Sequence, residues 1–252
     1  MKLLLNLLFF ACLIVMASCG EVREEITFDK DGSGTYEVSA DIIPMMKKMM
    51  ESTAKLAVEE GETMDSVELA AKVDEMIWKD FPGEIDSVIS LDSKITPEMK
   101  NDPETMALVN KTTAYMKGSR EAGFIKTGIK FSFDSNDEFM SFMNLIEENG
   151  QQGKQDTPLG KTKTELIVTP KSFIRTVEYL NKKEEDPSDA MALLMLQDMN
   201  ILTVLNFPGK IDKVDVTHYE IIEKSDRSVT LKFDMMKAMK SDAKSEIRVK
   251  LK

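Results

Sequence analysis

The chain has 252 residues, 42% of them hydrophobic, and a formal net charge of −11 from 44 acidic and 33 basic residues. That charge repels nucleic acid and gives no electrostatic pull toward anionic lipid headgroups. Two cysteines and one histidine are too few for a Cys- or His-based metal centre.

The first element reads as an export signal. Lys2 precedes an apolar run from Leu3 to Val15, closed by Met16-Ala17-Ser18-Cys19. A membrane-spanning helix needs about twenty apolar residues, and this run is shorter and meets Gly20 and Glu21 at once. Small residues leading into a cysteine resemble the lipobox of bacterial lipoproteins, with Met16 where that family usually has Leu. The resemblance implies a signal peptide over 1–18, diacylglyceryl attachment to Cys19, cleavage before it, and acylation (palmitate among the chains) of the new amino terminus. Cleavage after Ser18 without lipid is the alternative. Gly20 stands where some Gram-negative lipoproteins carry the Asp that retains them in the inner membrane, so the outer membrane is the expected address.

Removing residues 1–18, which hold one lysine and no acid, leaves 234 residues with a formal charge of −12. Cys12 goes with the signal, so Cys19 is the only cysteine left and no intramolecular disulfide can form. Membrane attachment then rests on acyl chains, each buried methylene contributing about 0.8 kcal/mol. Glu21 to Phe28 already alternates like a strand, which leaves a residue or two of linker. At about 3.3 Å per extended residue, the folded body is expected within about 10 Å of the bilayer.

Beyond the signal, Val22–Phe28 and Thr35–Ala40 read as a hairpin around Asp29–Gly34. A helix from Pro44 puts Met45, Met46, Met49, Met50, Leu56 and Ala57 on one face, and a second is expected over Met64–Lys79. Phe81-Pro82-Gly83 ends it ahead of a strand at Asp86–Leu91, with a further helix near Pro103–Asn110. Residues 112–118 and 124–133 read as strands, and Asp134 or Ser135 would cap a helix presenting Phe139, Phe142, Met143 and Ile146. Asn149 to Lys163 holds three glycines and a proline, the best internal boundary. A strand at Thr164–Thr169, a helix at Lys171–Lys182, an apolar helix at Met191–Leu202, strands at Val214–Glu223 and Ser228–Phe233, a short Met-rich helix, and a strand at Ser245–Leu251 follow.

FPGEIDSV (Phe81–Val88) and FPGKIDKV (Phe207–Val214) agree at six of eight positions. Helix, helix, Phe-Pro-Gly, strand would then occur twice, a degenerate internal duplication. The expected class is α+β, with antiparallel sheets packed against amphipathic helices. Residues 19–148 and 164–252 form two lobes joined by 149–163, or one domain with a sheet built from both.

Three constellations bear on chemistry. Asp29-Lys30-Asp31-Gly32-Ser33-Gly34 resembles the opening of an EF-hand calcium loop, but Ala40 stands where the bidentate Glu belongs and the flanks alternate like strands. A hairpin turn explains the same residues; Asp29, Asp31 and Ser33 are the candidates for a weak calcium contact. Nineteen methionines, seventeen of them beyond residue 18, cluster on predicted helix faces. There they serve as core filler, as thioether ligands for Cu(I), or as a pliable groove for an acyl chain or partner. Catalysis has little material: no G-x-S-x-G, H-E-x-x-H or phosphate-binding glycine loop occurs, and His218 is the lone histidine. The expectation is no enzyme, no cofactor and no nucleic-acid partner.

Ile26–Ala40 (ITFDKDGSGTYEVSA), a helical middle and Phe-Pro-Gly entering a strand resemble the LppM-like domain of bacterial lipoproteins, and uncharacterised lipoproteins of Bacteroidetes-type bacteria. The resemblance implies a membrane-anchored α+β domain that binds amphiphiles, with no catalytic residues to carry over. The function expected is a non-catalytic envelope lipoprotein binding a hydrophobic ligand or another envelope protein. The alternatives are a purely structural lipoprotein or an exported calcium- or copper-binding protein.

Overall fold

The computed structural model describes residues 21–44, 46–47, 66–79, 81, 83–91, 95, 97–152, 162–179, 200–241 and 244–252. The strands are β1 (Glu21–Phe28), β2 (Gly34–Asp41), β3 (Glu84–Ile89), β4 (Thr112–Ser119), β5 (Phe124–Phe133), β6 (Thr162–Thr169), β7 (Ser172–Tyr179), β8 (Asn200–Asn206), β9 (Ile211–Thr217), β10 (Tyr219–Lys224), β11 (Ser228–Phe233) and β12 (Ser245–Leu251). The helices are α1 (Ser66–Lys79), α2 (Pro97–Lys100), α3 (Pro103–Asn110), α4 (Asn136–Gln152) and α5 (Met235–Lys240). The architecture is α+β in outline, with strand dominating among the described residues. The predicted Met-rich helix from Pro44 lies largely outside them, as do most of the 149–163 boundary, residues 191–199 and Cys19.

Two sheets form. The larger has eight strands in the order β10-β11-β8-β1-β2-β5-β4-β3, and the smaller runs β6-β7-β12-β9. All pairs are antiparallel except β1 with β8. Strands from both sides of 149–163 hydrogen-bond within the larger sheet, so the two halves do not form self-contained lobes. Helix α4 also runs on to Gln152, past the expected boundary at Asn149.

Alternation in β1 sends Glu24, Ile26 and Phe28 to one face, where they meet Tyr36 of β2 and Leu205 of β8. Phe131 and Phe133 of β5, Phe139 and Phe142 of α4, Phe173 of β7 and Phe207 complete an aromatic core. Phe28 contacts four of these rings with centroids 5.7 to 5.9 Å apart, and Phe131 stacks on Phe142 at 3.9 Å. Ser135 caps α4, accepting from the Glu138 amide at 3.2 Å while the Glu138 carboxylate accepts from the Asp134 amide at 2.6 Å. A second cluster joins Ile77 and Trp78 of α1 to Ile42, Ile43, Ile85 and Ile125.

Three predicted elements differ. Where a helix is expected at Lys171–Lys182, Ser172–Tyr179 forms the strand β7. Its inward face is Phe173, Arg175, Val177 and Tyr179, opposite Ile247 and Val249 of β12, and the charge at Arg175 breaks the period-two pattern that marks a strand. Pro170 and Lys171 form its hairpin with β6. Asn200–Leu202, expected to finish a helix, opens β8, whose consecutive buried residues Thr203, Val204 and Leu205 give no alternation to read. Val214–Glu223 is not one strand: β9 belongs to the small sheet and β10 to the large one, with the break at His218 (φ 62°).

That break, with β8, also undoes the duplicated unit. The first Phe-Pro-Gly follows helix α1 and the second follows strand β8. Gly83 and Gly209 both lie at bends just ahead of β3 and β9. Gly83 and Gly209 are not among the positive-φ residues, and a Cβ at Gly83 would meet nothing within 4 Å.

Candidate functional site

Strand directions define two ends of the large sheet. One, here the proximal end, collects the first residues of β1, β3, β5, β8 and β10 and the last of β2, β4 and β11. Cys19 itself lies outside the described residues; β1 begins at Glu21, two positions after it in the sequence. Val22 packs against Phe233, Met235 and Ala238, so the Met-rich helix α5 sits beside the chain's point of entry.

Helix α5 starts where β11 ends because Asp234 caps it, its carboxylate accepting from the Lys237 amide at 2.9 Å. That hydrogen bond, then the Lys237 ammonium 3.0 Å away, holds the Asp234 carboxyl below the usual carboxylate range. The Asp234 amide donates to the carbonyl of His218 at 2.8 Å, tying the helix to the crossing between sheets. An open hollow lies here, lined by His218, Asp234, Met236, Lys237 and Ser241.

A polar seam runs inward from this hollow. His218 Nδ1 lies 3.0 Å from the Ser245 hydroxyl, which is fully buried and 3.1 Å from the Tyr179 hydroxyl. Deeper between the sheets, Arg175 of β7 meets Glu24 of β1 at 2.5 Å, and Thr203 of β8 donates to the same carboxylate oxygen at 3.1 Å. Burial works to lower the Arg175 guanidinium, but Glu24, Tyr219 and Tyr36 around it outweigh that and hold it above its ordinary value. Burial, with Glu24 nearby, raises the Tyr36 hydroxyl and pushes that of Tyr219 up to about 12. The seam was missed in the sequence, although β1 carries its signal. Glu24 falls in register with Val22, Ile26 and Phe28, an acid on an otherwise apolar face.

At the opposite, distal end lies the turn that resembled a calcium loop. The Asp29 amide donates to the Ser33 carbonyl at 2.8 Å, and Gly32 supplies the left-handed residue at φ 88°. Asp31 Oδ1 accepts from both the hydroxyl and the amide of Ser33, at 2.7 and 3.1 Å, which hold the carboxyl below its ordinary value. The structure thus arranges Asp31 and Ser33 as a hydrogen-bonded hairpin turn. Among the described residues, no group of three or more His, Cys, Asp or Glu side chains is placed to hold a metal ion. A second open hollow lies between this turn and Phe207-Pro208, with Arg227 on its rim.

No family model matches the chain. No curated protein matches it either. Among solved structures, it is similar to the NMR structure of the folded domain of Mycobacterium tuberculosis LppM, at 12% identity, over 92% of this chain and 90% of that one, with a TM-score of 0.36. A score that low carries neither fold nor function across. The likeness to Bacteroidetes-type lipoproteins has no support in these comparisons.

Proposed function

We propose that this chain is a non-catalytic envelope lipoprotein, acylated at Cys19, that works at the bilayer surface and engages an amphiphile or another envelope protein there. The observation that carries the reading is the entry of the chain into β1 at Glu21, two residues after the cysteine of the lipobox-like sequence. A domain so short of tether acts where its anchor is. The aromatic rings between the sheets fill the core, so a ligand is engaged at the surface and not swallowed between the sheets. The hollow beside α5, with its Met236 thioether and Lys237 ammonium, offers both apolar and charged contacts. The single histidine spends one ring nitrogen on a fully buried serine that no substrate reaches, which supports a structural role for the pair. Gly20 in place of Asp favours the outer membrane.

The test is the mass of the amino-terminal peptide from the membrane-extracted protein. The reading expects Cys19 at the first position bearing a diacylglyceryl thioether and an N-acyl chain. It also expects Cys19→Ser to leave the membrane fraction, and native mass spectrometry of the detergent-extracted protein to show co-purified lipid or partner. An unmodified terminus that stays soluble would sink it.

A further inference from the structure

The proximal end of the sheets is more than the place where the chain enters. We infer that it is the bilayer-contact surface of the domain, with α5 lying at headgroup level and the distal hairpin turned away from the membrane. This rests on the lipid anchor at Cys19 proposed above. The occupant is fixed by the chain outside the described residues and where it ends: from Cys19 only Gly20 intervenes before Glu21, a reach of about 7 Å.

Strand β1 is the fourth of eight in its sheet, so the anchor attaches near the middle of that edge. At about 4.8 Å per strand, the outermost proximal loops stand within about 20 Å of it laterally. The eight residues of β1 rise about 26 Å to the distal turn, beyond the reach of the bilayer surface. A central, short anchor therefore presents one end and withholds the other.

The proximal end also carries the side chains such a contact needs. Met236 lines the hollow, and Met76, 50% exposed, lies near the end of α1, which leads into β3 at this same edge. Thioethers on elements so placed, exposed at Met76 and half-buried at Met236, meet the acyl boundary without a fixed partner. Lys79 and Lys237 are exposed beside them, and lysine stems lie along apolar surface while their ammonium groups reach phosphate. Glu21, Glu84 and Glu121 share this end, so the acyl chains hold the face down and the lysines act only at contact range.

Full-length lipidated protein tests this directly. Its Cys19 thiol is consumed as a thioether, so one introduced cysteine is the only free thiol. Ala122→Cys and Lys237→Cys mark the proximal end, and Lys30→Cys and Arg227→Cys the distal one; all four positions are exposed. Each variant is labelled with an environment-sensitive fluorophore and placed in phosphatidylethanolamine–phosphatidylglycerol vesicles containing headgroup spin-labelled lipid. Quenching is expected to be roughly twofold or more stronger at the proximal positions, given the separation of about 26 Å between the ends. Equal or reversed quenching, with acyl chains present on the Cys19 peptide, overturns the orientation alone. An unacylated Cys19 peptide overturns the anchor and the orientation with it.

Discussion

Glu24 and Arg175, 151 residues apart in sequence, form the ion pair that joins the large sheet to the small one inside the core. Their side chains are 8% and 19% exposed. Taking such charges out of water is costly, and their mutual attraction offsets it only while both are present. Arg175→Met therefore leaves Glu24 buried and uncompensated, and should cost about 3–5 kcal/mol. The double variant Glu24→Leu/Arg175→Met should lose much less. Urea unfolding of the single and double variants checks both. Equal losses in the single and double variants would mean that packing, not charge, governs this site.

All four tyrosines of the chain, Tyr36, Tyr115, Tyr179 and Tyr219, have hydroxyls held above their ordinary value of 10.0, burial being the leading cause in each. A hydroxyl whose folded pKa is raised contributes stability in full below its unfolded value, and that stability is lost as pH rises through the folded one. Tyr219, at about 12, sets a window from about pH 10 to 12 for its share. Absorbance at 295 nm should stay flat through pH 10 and then rise in one step with loss of ellipticity. A tyrosine titrating near pH 10 in the folded protein would contradict the closed packing around it.

Much of this was legible in the sequence, for physical reasons that differ by element. The β1–β2 hairpin, α3, β4, β5 and α4 could be read because each carries one periodicity between clear stop signals. Strand β7 misled because its inward face includes Arg175, and β8 because a strand covered on both faces does not alternate. The break at His218 left no turn signature, since histidine is neither Gly nor Asn. The candidate site was harder still. Alternation alone placed Glu24 on an apolar face, but its partner lies on a strand the sequence disguised as a helix.

Gly34 has no room for a side chain. A Cβ there would lie 2.0 Å from the Thr27 carbonyl oxygen and 2.5 Å from the Phe133 ring, which lies across the glycine. Backbone on one side and a fully buried ring on the other leave nothing to yield. Gly34→Ala should cost about 3 kcal/mol or more. Gly83→Ala, which meets nothing within 4 Å, should change stability by less than about 0.5 kcal/mol. Thermal unfolding of the two variants in parallel gives the contrast; comparable losses would refute the steric account of Gly34.

His218 holds a left-handed backbone conformation at φ 62° where the chain passes from the small sheet into the large one. For a residue with a Cβ this conformation costs about 1–2 kcal/mol. Its imidazole offsets part of that through the Ser245 hydroxyl at 3.0 Å, a hydrogen bond of about 1 kcal/mol. His218→Gly removes the strain and the hydrogen bond together, so its stability should stay within about 1 kcal/mol of the parent. His218→Val keeps a Cβ, adds a branch that disfavours positive φ and loses the bond, so it should lose about 2 kcal/mol or more. Denaturant midpoints in the order parent, Gly, Val, with Gly close to the parent, are the expected result. If Gly falls as far as Val, the imidazole contact and not the backbone conformation governs the crossing.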